Sequence, residues 1–86
     1  MDPYRIIKYP LATEKSVRVM EMENKLILIV ERKSNKTQIK DAVEKAFNVK
    51  VLHVNTLITG EGLKKAYVKL SPDTPAIDIA TQLGLI

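Results

Sequence analysis

The feature that most constrains the fold is one unbroken apolar segment, Leu26–Val30, near the middle of the chain. It shows no apolar-polar alternation, which is typical of a β-strand covered on both faces. Directly after it, apolar residues recur with helical spacing at Ile39, Ala42, Val43, Ala46 and Phe47. That spacing places all of them on one helical face. We therefore predict a strand over Lys25–Arg32 and an amphipathic helix over Lys36–Phe47.

The two ends of this helix carry their own signals. Asn35 and Gln38 have the spacing of a capping box, in which each side chain accepts a hydrogen bond from the other residue's backbone. Asn48 tolerates the left-handed conformation that often ends a helix. The same boundaries are thus indicated by periodicity and by capping.

A β-hairpin is predicted after the helix. The segments Val49–Thr59 and Lys64–Ser71 are β-rich and flank the glycine-bearing loop Gly60–Leu63. Alternation divides each strand into two faces. In the second strand, the predicted core face carries Ala66, Val68 and Leu70, and the other face carries Lys65, Tyr67 and Lys69. In the first strand, the predicted core residues are Leu52, Val54 and Ile58, with His53 and Asn55 on the opposite side.

The terminal segments are shorter. Residues 4–9 are β-prone and end at Pro10, which predicts a brief edge strand. Thr13 is a candidate helix N-cap, and Glu14 follows it at the positive end of the helix dipole. Val17 and Met20 then give a short helix one apolar stripe, although Val17 and Val19 also fit a strand.

A last helix is predicted over Ala76–Leu83. Thr74 is its predicted cap, Pro75 its first helical position and Gly84 its stop. The element order is therefore β-α-β-α-β-β-α. It predicts an α+β sandwich on a four-stranded, mostly antiparallel sheet, with Lys64–Ser71 between the strands at Lys25–Arg32 and Val49–Thr59. At 86 residues the chain is expected to form one domain, residues 1–86.

Composition excludes several classes of protein. The chain has no cysteine, so disulfides and thiolate metal sites are excluded and a reducing, intracellular environment is expected. Leu26–Val30 is far shorter than the roughly 20 apolar residues of a membrane helix, so no membrane insertion is expected. The N-terminal segment MDPYRIIKYP lacks an apolar core, so we expect no secretory signal peptide.

Residues suited to catalysis are scarce. The single histidine, His53, lies within a predicted strand, and no carboxylate cluster has the spacing of a metal site. Gly60-Glu61-Gly62 is a turn and lacks the strand-to-helix context of a dinucleotide-binding loop. We therefore expect no enzyme activity, no catalytic residue, no metal and no cofactor.

Charge points to binding instead. The net charge is +4, and Lys provides 11 of the 14 basic residues. Lysine meets phosphates as a point charge, so backbone contacts would dominate binding to a nucleic acid. The candidate groups are the strand with Lys65, Tyr67 and Lys69, the turn around Lys8, Tyr9 and Lys15, and the helix start at Asn35-Lys36. Each also has an ordinary explanation as a solvated face, a solvated loop or a helix cap, and Lys40, Lys45 and Lys50 suit a solubility role.

Three segments together resemble one known family. Residues 6–16 (IIKYPLATEKS), residues 35–56 (NKTQIKDAVE through VNT) and residues 64–70 (KKAYVKL) occur in the order and form seen in large-subunit ribosomal protein twenty-three. The overall pattern is similar to the archaeal form of that protein. The resemblance covers nearly the whole chain.

This resemblance implies a non-catalytic ribosomal component in the cytoplasm. The family binds the third domain of large-subunit rRNA beside the polypeptide exit tunnel, next to large-subunit protein twenty-nine. It also helps to form the docking platform for nascent-chain factors such as the signal recognition particle. Carried over position by position, the candidate rRNA contacts are Lys8, Thr13, Lys15, Asn35, Lys36, Lys64, Lys65, Tyr67 and Lys69. Glu14 matches the acidic residue of the motif, which in the family can face incoming factors.

The sequence departs from the family pattern at two places. Gly60–Leu63 spans only four residues, where bacterial members have a long basic loop that reaches the tunnel wall, so tunnel lining is in doubt. Tyr9 stands where many bacterial members have Arg, so stacking can replace an ionic contact there. The alternative hypothesis is a small regulatory or protein-interaction α+β domain that binds no RNA. A further expectation is that lysines and acidic residues occupy different sides of the domain.

Overall fold

The computed structural model describes residues 3–84 of the chain. In chain order its elements are α1 (Pro3–Ile6), β1 (Ile7–Pro10), α2 (Glu14–Glu23), β2 (Lys25–Val30), α3 (Lys36–Phe47), β3 (Val51–Ile58), β4 (Lys64–Leu70) and α4 (Ala76–Gln82). The predicted α+β order is confirmed from β1 onward, with the single helical turn α1 in front of it. The predicted edge strand therefore starts at Ile7, and residues 4–6 belong to α1.

The four strands form one sheet in the order β1-β2-β4-β3, with antiparallel neighbours throughout. The last strand, β4, lies between β2 and β3, as predicted. In the centre of the sheet Leu28 is opposite Ala66, and Ala66 is in turn opposite Thr56. The β2-α3-β3 crossover thus leaves a gap of one strand, which the hairpin fills.

Helices α2, α3 and α4 cover one face of the sheet and build the core there. Met20, Ile39, Val43 and Ile79 belong to the same buried cluster as Leu26, Leu28, Val30, Val54, Ala66, Val68 and Leu70. The strand residues of this cluster alternate along β2 and β4, so they share one face. The other face carries none of the described helices, and we call it the open face.

The strand β2 is buried on both sides, as its unbroken apolar sequence predicts. Ile27 and Ile29 point to the open face, yet they are only 5% and 2% exposed. Their neighbours across the sheet are Tyr67 and Lys65. Long side chains of this kind can cover apolar surface with their aliphatic or aromatic parts while their polar ends stay in water.

The predicted core face of β3 is partly wrong. Val51 and Val54 are buried, whereas Leu52 and Ile58 are each 48% exposed. The register shifts between Val51 and His53, so Leu52 is an extra residue that interrupts the alternation. Ile58 is the last residue of the strand. The open-face positions of His53 and Asn55 are confirmed, since they pair with Lys69 and Tyr67.

The predicted caps of α2 and α3 are confirmed. The Gln38 backbone N–H donates to Asn35 Oδ1 at 2.8 Å, and the Asn35 N–H donates to Gln38 Oε1 at 3.0 Å. Asn48 ends α3 with φ 54°. The Ser16 N–H donates to Thr13 Oγ1 at 3.2 Å, and Glu14–Glu23 is helical, so the strand alternative for this segment is wrong.

The predicted cap of α4 is wrong. Pro75, not Thr74, occupies the N-cap position, and no neighbouring side chain caps the helix. Instead, the Ala76 backbone N–H donates to Asn24 Oδ1 at 2.6 Å, from a residue far away in the chain. A free N–H in the first turn of a helix needs an acceptor. Thr74, the predicted cap, does not supply one here. The predicted stop is confirmed, because Gly84 follows the helix with φ 75°.

Candidate nucleic-acid interface

The open face presents basic and aromatic side chains in rows across the sheet. The pairing of the strands defines three such rows: Tyr9, Ile29, Lys65 and Leu57; then Ile27, Tyr67 and Asn55; then Lys25, Lys69 and His53. Residues opposite one another in antiparallel strands lie on the same face, so each row is a line of neighbours. The open face therefore combines two tyrosines with three lysines.

Lysine 65 is the cation of this face that is most available to a ligand. It lies between the strands carrying Ile29 and Leu57, and it forms no ion pair with any residue between 3 and 84. Lys69 differs, because its Nζ donates to the Glu23 backbone oxygen at 2.5 Å. Lys25 Nζ lies 3.4 Å from Glu23 Oε1. The positive charge of the row Lys25, Lys69 and His53 is thus partly neutralised by Glu23 at the end of α2.

Three other predicted lysines, Lys8, Lys36 and Lys64, lie at one end of the sheet. Lys64 points away from the open face, and its Nζ donates to the Ser34 backbone oxygen, directly before Asn35. Lys8 Nζ lies 3.8 Å from Glu31 Oε2, just after β2. The structure therefore brings Lys64 next to the start of α3, where Asn35 and Lys36 are exposed.

The sequence patterns did not single out two basic residues that lie at this end of the sheet. Arg5 and Lys33 line one shallow depression together with Glu31, Ser34 and Gln38. Both are exposed. Neither lies in a segment with a clear periodic pattern, and only the antiparallel pairing of Ile7 with Val30 brings the start of the chain to this end of β2.

The group predicted around the Pro10 turn does not stay together. Thr13, Glu14 and Lys15 begin α2, on the helix-covered side, whereas Lys8 lies in β1 beside Glu31. Thr13 is used as the helix cap. Glu14 is well exposed, and its Oε1 accepts a hydrogen bond from Arg18 Nη2 at 3.2 Å.

The helical side carries charges of both signs, because α2, α3 and α4 hold six acidic residues but also Lys15, Arg18, Lys36, Lys40 and Lys45. The expected separation of lysines from acidic residues is therefore only partial. Glu14, Glu21 and Glu23 all belong to α2, and Asp78 belongs to α4. These two helices pack against each other. The three rows of the open face carry Lys25, Lys65 and Lys69 and no acidic residue, so their charge favours an anionic partner there.

The chemistry of the open face is that of a binding surface. Within residues 3–84, no three His, Asp or Glu residues are close enough together to hold a metal ion. Tyrosine rings supply stacking surfaces, and ammonium groups supply charge for phosphates. An antiparallel sheet with this combination suits contact with a nucleic acid.

Comparison with known families bears on the two functional hypotheses. The family model described as Ribosomal protein L23 matches residues 5–79. The chain belongs to the ribosomal protein L23 family. It is therefore a large-subunit ribosomal protein that acts in translation. The match runs from α1 into α4 and includes every strand of the sheet.

The hairpin of this L23 chain is short and closed by its own hydrogen bonds. The Thr59 N–H donates to the Leu63 oxygen at 2.8 Å, and the Gly62 N–H donates to the Thr59 oxygen at 3.0 Å. Gly62 has φ 82°, a conformation that favours glycine. Separately, none of the helices described is long and apolar enough to cross a bilayer.

Proposed function

We propose that this L23 protein is a structural component of the large subunit that binds the third domain of large-subunit rRNA with its open face. The observation that supports this most directly is the row Tyr9–Ile29–Lys65. In it, an exposed ring and an ammonium group with no ion pair among residues 3–84 lie on either side of a buried aliphatic side chain. Family membership supplies the RNA as the expected partner. The same membership favours this function over a regulatory domain without RNA.

The physical basis of the proposal is the pairing of phosphate charge with stacking. Each lysine that meets a phosphate releases counterions, which makes binding salt-dependent. Tyr67 and Tyr9 add stacking with unpaired bases, which depends little on salt. Lys64, Lys8, Asn35 and Lys36 would extend the contact around one end of the sheet.

The helical side would remain available to proteins. The Glu14 side chain on this side is 85% exposed. From the family resemblance we propose that this side meets nascent-chain factors such as the signal recognition particle, and that large-subunit protein twenty-nine is a neighbour. The protein would lie beside the exit tunnel of cytoplasmic ribosomes and would have neither enzymatic activity nor a cofactor. The short hairpin argues against contact inside the tunnel. The archaeal type of the sequence stays a prediction.

The test is the salt dependence of binding to a third-domain rRNA transcript. Affinities of the wild type and Lys65→Ala would be measured from low to moderate salt. Loss of one phosphate contact should reduce the slope of log K against log salt by about one. Lys45→Ala is the matched control, because Lys45 is exposed near the end of α3 on the helical side.

Two results would count against the proposal. One is failure of the folded wild-type protein to bind the transcript at moderate salt. The other is an equal change of slope for Lys65→Ala and Lys45→Ala, which would mean that the open face has no special role. Co-sedimentation with salt-washed large subunits provides an independent check of assembly.

A further inference from the structure

A cleft crosses the open face between β1 and the tip of the β3–β4 hairpin. It has a volume of about 300 Å³ and is lined by Tyr9, Leu11, Ile29, Thr59, Glu61, Leu63 and Lys65. This volume is near the lower end of small-ligand pockets, roughly 300–1,000 Å³. A cleft of this size suits one planar ring system and not an extended peptide.

The walls of the cleft differ in chemistry. Ile29 forms a buried apolar floor at 2% exposure, and Tyr9 stands beside it with 46% of its surface exposed. The register of β1 against β2 shifts between Ile7 and Tyr9, which is the kind of irregularity that redirects a side chain. The ring of Tyr9 is therefore presented at the open face as a free stacking surface.

The polar groups of the cleft are a carboxylate and an ammonium group that do not neutralise each other. Glu61 and Lys65 line the same cleft, yet neither takes part in an ion pair among residues 3–84. A phosphate alone would be attracted by Lys65 and repelled by Glu61. A nucleotide satisfies both, because its base offers N–H donors and its phosphate carries negative charge.

We propose that this cleft binds one unpaired nucleobase, stacked on Tyr9 and donating to the Glu61 carboxylate, with Lys65 on the adjoining phosphate. This deepens the proposed RNA binding and rests on it: phosphates position the protein, whereas the cleft adds selection of a base. The exocyclic amino groups of cytosine, adenine and guanine donate to a carboxylate, whereas uracil offers only its ring N3–H. The cleft therefore prefers cytosine or adenine to uracil.

The experiment measures binding of short single-stranded RNAs. Fluorescence anisotropy with labelled hexamers of cytidine, adenosine or uridine would compare the wild type with Tyr9→Ala, Tyr9→Phe and Glu61→Ala. Tyr9→Ala should weaken binding roughly 5- to 150-fold with an unchanged salt slope, because stacking and not charge is lost. Tyr9→Phe keeps the ring and should bind like the wild type.

Glu61→Ala tests the selection of the base. The wild type should favour the cytidine hexamer over the uridine hexamer by roughly tenfold, and Glu61→Ala should bind both equally. Glu61 makes no hydrogen bond that closes the hairpin, because those come from Thr59, Gly62 and Leu63. Far-UV circular dichroism of each variant checks that the fold is retained.

The outcomes separate this inference from the proposed function. Suppose that the wild type binds third-domain rRNA and that Tyr9→Ala binds both that transcript and the hexamers as tightly as the wild type does. The base site is then overturned, while RNA binding stands. Equal wild-type affinities for the cytidine and uridine hexamers also overturn the base site. If the folded wild type binds neither the transcript nor any hexamer, both proposals fail together.

Discussion

Asn24 connects three elements of the fold, and its replacement by Asp tests that connection. Its backbone ends α2 with φ 54°. Its Nδ2 group donates to the backbone oxygens of Leu70, Ser71 and Thr74 at 3.2, 3.1 and 3.2 Å. Its Oδ1 accepts from the Ala76 N–H at 2.6 Å, which caps α4. One side chain thus fixes the C-terminal helix to the sheet.

Asn24→Asp keeps the shape and the left-handed backbone but removes both side-chain donors. Loss of the hydrogen bonds from these two N–H groups, which serve three carbonyl oxygens, costs about 2 kcal/mol. A carboxylate facing carbonyl oxygens adds about 1–3 kcal/mol. The stronger bond from the Ala76 N–H to a charged acceptor returns about 1 kcal/mol. A negative charge at a helix C-terminus costs about 0.3–1 kcal/mol more. We therefore expect the free energy of unfolding to fall by about 2–5 kcal/mol, or the melting temperature by about 8–40 °C for a domain of this size.

Asn48→Asp is the matched control. Asn48 ends α3 with the same φ of 54°, and its side chain forms no hydrogen bond with the described residues. Both substitutions place a negative charge at a helix C-terminus, which costs about 0.3–1 kcal/mol in each case. Urea unfolding followed by far-UV circular dichroism gives both free energies. A difference of less than about 0.5 kcal/mol between the two variants would refute the role assigned to the Asn24 side chain.

Two further substitution pairs test the hairpin and the core. Gly62→Ala should destabilise the protein by about 1–2 kcal/mol because Gly62 has φ 82°, whereas the new methyl group of Gly60→Ala meets open space, so that substitution should be nearly neutral. Thermal melts of the two variants measure both effects. Equal losses of stability would contradict the turn geometry. Leu28→Ala should cost about 2–5 kcal/mol because Leu28 is 0% exposed. Leu52→Ala should cost less than about 1 kcal/mol, since the bulge leaves Leu52 48% exposed; similar midpoints in urea for these two variants would speak against the β3 register.

The candidate interface was only partly predictable from the sequence. Strict alternation along β4 placed Lys65, Tyr67 and Lys69 on one face, and the burial pattern of that strand agrees. Alternation failed in β3, where one extra residue at Leu52 changed which side chains face the core. The assignment of individual residues to RNA contact remains a prediction.

The cleft beside Tyr9 illustrates what local patterns miss. Tyr9 and Glu61 lie more than fifty residues apart in the sequence, and each by itself looks like an exposed loop or edge residue. They line one cleft only because β1 pairs with β2, and β2 pairs with the second strand of the hairpin. No periodicity within either segment carries that information.

By itself the sequence determined most of the helices and strands, with α1 missed and α2 left open between helix and strand. It also determined where α3 begins and ends, and which face of β4 is basic. These properties depend on hydrophobic periodicity and on hydrogen bonds between residues three or four positions apart. The tertiary structure alone decided the bulge at Leu52, the cap that Asn24 supplies to α4, and the cleft between Tyr9 and Glu61. Each of these depends on how distant segments pair across the sheet, and a single residue of register changes which side chains meet.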